Sequence, residues 1–339
     1  MNSKKGYGKV SVIGAGSWGT TLAVILARKG LSVDLHSVFA EHNREMIRAG
    51  ENSLFLQGVR FPSSLRINPE LQACLESKVV VVAIPVKFLR GVLKSAASAG
   101  GAGLENVFVS VSKGIEGRSL KRVSEIFAEE LGPVRFAALS GPNIAKEVLQ
   151  GVPSTSVIAC REKGYAKQLQ QLFSTPEFRV YSHQDLTGVE LGGALKNIIA
   201  LACGISDGLG FGTNTKAALV TRGLVEITRL GKCMGAVQET FWGASGLGDL
   251  VTTCFSPHSR NRSVGERIGK GESIRAITQQ MNMVAEGVET VKSAYHLSTR
   301  HRVEMPITHE VYKVLYKRKT PQKAVSDLMQ RPLKTERPS

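Results

Sequence analysis

Aromatic residues are scarce in this chain, 6% of 339 residues. Binding of single-stranded nucleic acid needs aromatic platforms in series, and no basic run here is interleaved with them. Cysteine is rarer still: Cys74, Cys160, Cys203, Cys233 and Cys254 are odd in number, scattered and never spaced Cys-x-x-Cys. That excludes a disulfide framework and a thiolate zinc site, and argues for a reducing cytoplasm. No His, Cys and carboxylate spacing suits a metal, so no metal is expected, and neither a P-loop nor a nucleophile elbow occurs. No apolar run approaches the roughly 20 residues of a membrane helix, so an integral membrane protein is not expected. Lys4-Lys5 before Val10–Ile13 does not make a signal peptide, because the apolar part is short and glycines interrupt it. Acidic residues are in deficit as well, 28 against 44 Lys and Arg, for a formal net charge of +16. The excess is spread along the chain, which points weakly to small anionic ligands and not to nucleic acid.

What is present is the composition of a soluble globular protein, 42% hydrophobic and 21% charged, long enough for two cores. Lys9–Ile13 reads as a short buried strand and Thr20–Lys29 as an amphipathic helix. Between them stands Gly14-Ala15-Gly16-Ser17-Trp18-Gly19, a match to G-x-G-x-x-G in the strand–turn–helix context that the motif needs. Gly14 permits the tight turn, Gly16 lets the backbone approach a pyrophosphate, and Gly19 lets helix and strand pack closely. The helix N-terminus adds N–H donors and positive potential. Further strands are expected at Val33–His36, Val79–Ile84, Val107–Val111, Arg135–Ser140 and Thr155–Ala159, with helices or loops between. The alternation implies an α/β, Rossmann-type, doubly wound and mostly parallel sheet with its ligand beyond the carboxyl ends of the strands. Pro85, Ser112–Glu116 and Ser140–Asn143 fall on that edge. Ser95–Gly103, rich in Ala, Gly and Ser, reads as a mobile surface loop.

After about Gly188 strand signals stop and helical patterns run through Ala217–Leu230, Ser273–Gln280, Val288–Thr299 and Pro306–Tyr316. The expected domains are therefore 1–188, dinucleotide-binding, and 189–335, all-α, with 336–339 a disordered tail. Lys196 lies within Leu191–Ala202, a stretch apolar on nearly every helical face. A helix of that kind is buried. Its ammonium must then be paired, face a cavity or lose its proton, unless it snorkels to solvent. Two more polar clusters stand out, Gly246–Thr253 with Asp249, and Ser259-Arg260-Asn261-Arg262. An Arg-Asn pair can fork onto a phosphate, although alone these two clusters read more readily as a cap and a solvated basic turn. His183, His258 and His309 read as surface or cap residues.

Gly14–Gly19, Ser112–Glu116, Ser140–Glu147, Gly188–Gly223, Gly246–Cys254, Ser259–Arg262 and Met305–Thr308 together resemble the bacterial-type NAD(P)-dependent glycerol-3-phosphate dehydrogenases, over Val10 to about Glu336. The resemblance implies interconversion of sn-glycerol 3-phosphate and dihydroxyacetone phosphate, run chiefly as a reduction to supply phospholipid synthesis. It makes Lys196 the proton acceptor and donor, surrounded by Lys113, Asn197, Asp249 and Thr253. The substrate would be held by Lys113, Lys196, Asp249, Gly141, Asn143, Ser259, Arg260 and Asn261, with Arg260 and Asn261 on its phosphate. NAD(H) or NADP(H) would meet Gly14, Gly16, Ser17, Trp18, Gly19, Val38, Phe39, Phe55, Lys113, Ala145, Arg260, Val284 and Glu286.

Two positions depart from the family pattern. Asn143 replaces the usual Ser or Thr, and Val38 and Phe39 stand where a basic pair usually meets the adenosine 2′-phosphate. Asp34 lies at the expected distance beyond Gly14 but, by pattern, inside the strand. The alternatives are another two-domain β-hydroxyacid-type dehydrogenase, or a dinucleotide-binding sensor without catalysis. A homodimer is compatible with the sequence and not specified by it.

Overall fold

The computed structural model describes residues 8–98, 106–281 and 284–336. The chain divides into two compact units, Met1–Ser112 with Val123–Leu186, and Lys113–Arg122 with Thr187–Ser339.

Among the described residues the first unit contains ten strands: β1 (Lys9–Ile13), β2 (Ser32–His36), β3 (Glu51–Asn52), β4 (Leu56–Arg60) and β5 (Leu65–Ile67), then β6 (Val79–Val82), β7 (Val107–Ser110), β8 (Arg135–Ser140), β9 (Ser154–Cys160) and β10 (Phe178–His183). Eight form one sheet in the order β10-β9-β8-β7-β6-β1-β2-β5, while β3 and β4 pair as a separate ribbon. Every pair in the large sheet is parallel except β8–β9. Helices α1 (Ser17–Arg28), α2 (Ala40–Ala49), α3 (Leu71–Leu75), α4 (Val86–Ser98), α5 (Val123–Leu131), α6 (Ala145–Leu149) and α7 (Lys163–Phe173) connect the strands. Val79–Val82 is buried at all four positions, the continuous apolar run that a strand covered on both faces requires.

The expected strands are all present, Lys9–Ile13 and Arg135–Ser140 with the expected bounds and the others with ends moved by one or two residues, and the sheet is mostly parallel. Four strands were not anticipated, β3, β4, β5 and β10. The first three are short or half exposed, and β10 alternates buried and exposed only over its first four residues. Ser95–Ser98 belongs to α4 and not to a loop; the rest of that expected loop lies outside the described residues. The tail beyond Glu336 lies outside them too.

The second unit holds α8 (Leu186–Gly208), α9 (Thr213–Cys233), α10 (Asp249–Phe255), α11 (Arg260–Gly269), α12 (Ile274–Gln279), α13 (Glu286–His301), α14 (Pro306–Tyr316) and α15 (Pro321–Met329). A 3₁₀ turn (Gln238–Trp242) and a π turn (Ala244–Gly248) precede α10. Contrary to the sequence reading, α8 does reach membrane-crossing length and apolarity, at 23 residues, because its lone lysine and small residues hardly lower the average. Its apolar window is wholly buried within the protein.

Helix α8 is the axis of this core, and α11 lies against it at backbone contact distance. A Cβ on Gly204 would come 2.0 Å from the Arg262 carbonyl oxygen, and one on Gly265 would come 2.1 Å from that of Leu201. Glu226 of α9 anchors α14 by accepting from the Ile307 N–H (2.6 Å), the Thr308 N–H (3.1 Å) and the Thr308 hydroxyl (2.9 Å), serving the orphan donors of a helix start. The segment Lys113–Arg122, which the sequence reading left in the first domain, joins the helices. Ile115 is in their apolar core, and Ser293 donates to the Ile115 carbonyl (3.1 Å).

Candidate active site

In the first unit the β1–α1 turn is built from glycines at close quarters. Gly14 has φ +110°, and a Cβ there would lie 2.5 Å from the Ala83 carbonyl oxygen. Gly19 sits so close to the turn that its Cβ would be 2.0 Å from the Gly14 oxygen. Gly16, by contrast, faces open space. It is the N-cap of α1, whose first turn carries no acidic residue. Free N–H donors, the helix dipole and room for a backbone approach suit the pyrophosphate of a dinucleotide. The buried Trp18 Nε1 has no hydrogen-bond partner.

Other positions implied in cofactor contact gather around this turn. The Ser17 hydroxyl donates to the Phe55 carbonyl (2.9 Å), and Thr21 of α1 donates to that of Ala145 (3.4 Å). Val38 and Phe39, 44% and 69% exposed, form the turn after β2. Asp34 is not available to a ribose. It is buried in β2 and takes both Arg66 nitrogens (3.0 Å each), Asn68 (2.7 Å) and Lys9 (2.7 Å). Arg44 is bound to Glu41 on the surface of α2. Asn143 is turned onto its own sheet, donating to the Thr155 carbonyl (3.1 Å) and accepting from the Ser156 hydroxyl (3.1 Å). Gly141 packs over Ser156 as well.

In the second unit the Lys196 ammonium is buried and does not snorkel. It donates to Asp249 Oδ1 and to the Thr253 hydroxyl (2.6 Å), while Lys113 donates to Asp249 Oδ2 (2.7 Å). One buried carboxylate thus holds two ammonium groups. Burial pulls the Lys196 pKa down to about 8; Asp249 works against the shift and Lys113 reinforces it. Thr253 spends its own proton on the Asp249 backbone carbonyl (2.6 Å), so it can only accept from the lysine. An ammonium has three donors, and two are used, which leaves one for a ligand oxygen. Gly192, four residues before Lys196, admits the Ser245 carbonyl oxygen, which a Cβ would meet at 2.8 Å. That contact seats the π turn on α8 and delivers Asp249 to Lys196.

Asn197 and Asn261 are joined in a relay. Asn197 donates to the Lys113 carbonyl (3.1 Å), Asn261 donates to Asn197 Oδ1 (2.9 Å), and Asn261 Oδ1 accepts the Gly287 N–H (3.0 Å). The Asn261 amide therefore braces the site, and what α11 offers an anion is different. Ser259 caps the helix through the Arg262 N–H (3.2 Å), which leaves the N–H groups of Arg260 and Asn261 without intrahelical acceptors. Arg260 at the first helical position is open to solvent on one side. Protein mass on its other sides lowers its pKa, with the Glu286 carboxylate opposing. Val284 and Glu286 lead into α13. No group of three or more His, Cys, Asp or Glu suited to a metal occurs among the described residues.

Sequence reasoning did not find the Arg122–Glu190 pair (2.7 Å), which ties Lys113–Arg122 to α8, or the Asp207 carboxylate between Lys216 and Arg262 (2.7 Å to each). No local pattern marks either, since Arg122 and Glu190 are 68 residues apart and Arg262 reaches Asp207 from 55 residues away. His183 accepts from the Asp185 N–H (2.9 Å) and His309 pairs with the Ser298 hydroxyl (2.9 Å), while His258 is exposed.

A mostly parallel sheet with a close-packed glycine turn, and a helical unit with a lysine buried against a carboxylate, are features of two-domain nicotinamide-dependent dehydrogenases. Residues 9–166 and 185–326 match the models for the NAD-dependent glycerol-3-phosphate dehydrogenase N-terminus and C-terminus. A glycerol-3-phosphate dehydrogenase [NAD(P)+] of Citrifermentans bemidjiense is 49% identical over 97% of this chain and 98% of its own length. The Geobacter sulfurreducens enzyme of the same name is also 49% identical, over 97% and 99%. The crystal structure of glycerol-3-phosphate dehydrogenase from Coxiella burnetii superposes with a TM-score of 0.91 at 38% identity, covering 95% of this chain and 99% of that one. The chain belongs to the NAD-dependent glycerol-3-phosphate dehydrogenase family.

Proposed function

We propose that this protein interconverts sn-glycerol 3-phosphate and dihydroxyacetone phosphate with NAD(H) or NADP(H), chiefly in the reducing direction that supplies phospholipid synthesis. The observation that carries the chemistry is Lys196, buried against Asp249 and Thr253 with its pKa near 8. At that value the amine exchanges a proton readily near neutral pH, as a general acid–base must. In the oxidising direction neutral Lys196 takes the proton of the C2 hydroxyl; in the reducing direction its ammonium returns a proton to the C2 oxygen. Asp249 keeps Lys196 and Lys113 together, and their charge favours the oxygen as it becomes anionic. Arg260 and the first turn of α11 take the phosphate, with Ser259 fixing the turn. The nicotinamide, when bound, supplies the hydride chemistry.

Following NADH and NADPH absorbance with dihydroxyacetone phosphate tests this reading. Turnover confined to an unphosphorylated β-hydroxyacid would replace it, and binding without turnover would leave a sensor. We further place the enzyme in the cytoplasm, supported by five free thiols, four of them buried. A homodimer is supported by Leu247 of the π turn and by Val251 and Phe255 of α10, exposed hydrophobics four residues apart, the latter two on the face of α10 opposite Asp249 and Thr253. The mass in solution checks that assembly.

A further inference from the structure

Within the first unit, one histidine that takes no part in the chemistry above is buried among every segment proposed to meet the adenosine half of the cofactor. His42 lies in the first turn of α2. Its Nε2 is 3.0 Å from Asn52 Oδ1 and its Nδ1 is 3.0 Å from the Ser37 hydroxyl. The Asn52 amide donates to the Ala15 carbonyl and to the Thr20 hydroxyl, at 2.8 Å each. A carbonyl can only accept, so the NH₂ group of Asn52 faces the glycine turn and Oδ1 faces the imidazole. The proton of a neutral His42 is thereby assigned to Nε2, and Nδ1 accepts from Ser37. The Ser37 oxygen in turn accepts the Phe39 N–H (3.2 Å). Asn43 clamps the Ser37 backbone from both sides, accepting its N–H and donating to its carbonyl, at 2.8 Å each. Asn52 Oδ1 also accepts the Phe55 N–H (3.2 Å), and the Phe55 ring stands edge-on to the imidazole at 5.4 Å between centroids.

We propose that His42 is a positioning residue for the adenosine half of the dinucleotide, setting the ribose turn Ser37–Phe39 and Phe55 in register with the pyrophosphate turn Gly14–Gly19. The inference rests on the reading that this unit holds NAD(H) or NADP(H). Its basis is that the hydrogen bonds of one imidazole run, through a single asparagine and a single serine, to all three segments. A neutral imidazole suits the place because it is a donor on one side and an acceptor on the other. With Val38 and Phe39 uncharged, affinity on this side depends on the placement of backbone groups and not on a salt link, so a loosened turn is felt directly.

The test is isothermal titration of NADH and of ADP-ribose into the full-length wild type, His42→Ala, His42→Gln and Ser37→Ala. Glutamine can still donate to Asn52, and Ser37→Ala removes one hydroxyl, so it carries the test should His42→Ala fail to fold. We expect His42→Ala and Ser37→Ala to weaken NADH and ADP-ribose by the same factor, about tenfold, the scale of one net hydrogen bond in a buried network. His42→Gln should recover most of the loss. Wild-type affinity for ADP-ribose in the folded variants, or a loss for NADH alone, would overturn the proposal while leaving the functional reading intact. A wild type that binds neither ligand would overturn the functional reading, and this inference with it.

Discussion

The two units present opposite materials at their candidate binding features. In the first, the ligand edge is backbone: glycines that bring chain against chain, a helix N-terminus, and neutral side chains at Val38, Phe39 and Phe55. The buried acid Asp34 is fully committed to Arg66, Lys9 and Asn68. In the second, the centre is charge taken out of water: Lys113, Asp249 and Lys196 in contact, with Arg260 at the nearby helix start. A backbone cradle binds by shape and tolerates substitution of exposed side chains. A buried charge cluster has perturbed proton affinities and suffers when one member is lost.

The largest effect that could break this contrast is Lys196→Met. Turnover should fall by about 10²–10⁴, the usual contribution of general acid–base catalysis. Folding should survive, since Lys113 still partners Asp249, and a thermal melt beside the steady-state assay checks both. Near-normal turnover would make the cluster structural. Next, Arg260→Ala should cost about 1.5–3 kcal/mol with dihydroxyacetone phosphate, the range for losing a hydrogen bond to a charged group. Unphosphorylated dihydroxyacetone should be far less affected, and equal losses on both would remove Arg260 from the phosphate site.

A smaller effect is the pH profile. The lowered Lys196 pKa means that neutral amine accumulates above about 8. For reduction, which needs the ammonium, kcat/KM should fall above that pH by about tenfold per unit; for oxidation it should rise toward about 8 and level off. Profiles without a break there would show that Lys196 does not carry the proton. The smallest effect belongs to the first unit. Val38 and Phe39 carry no charge to meet a 2′-phosphate, and Arg44 on α2 is paired with Glu41. NADH should therefore be used appreciably, with any preference for NADPH no greater than about tenfold. Val38→Arg should move the ratio toward NADPH. A hundredfold wild-type preference for NADPH would place the 2′-phosphate site elsewhere.

These differences also explain what could be read in advance. Gly14, Gly16 and Gly19 act on neighbours within a few residues, so their motif and its strand–turn–helix setting were legible locally. Asn143 was legible only as a departure; that its amide turns onto Thr155 and Ser156 depends on the antiparallel β8–β9 pairing, which no local pattern announces. Asn261 was expected on a phosphate, but its amide spans Asn197 and Gly287, 64 and 26 residues away.

The sequence by itself determined the alternation of strands and helices, the glycine turn, and the presence of a lysine in an apolar helix that had to be paired or discharged. Those follow from periodicity and from the cost of burying a charge, which act on the residue and its neighbours. Only the tertiary structure decided which carboxylate receives that lysine. Asp249 is 53 residues away, reached because Gly192 lets the π turn before α10 pack on α8. It alone also decided that Lys113–Arg122 belongs with the helices and that His42 joins three distant turns. Such pairings are set by which surfaces close-pack, a property of the assembled core that no window along the chain contains.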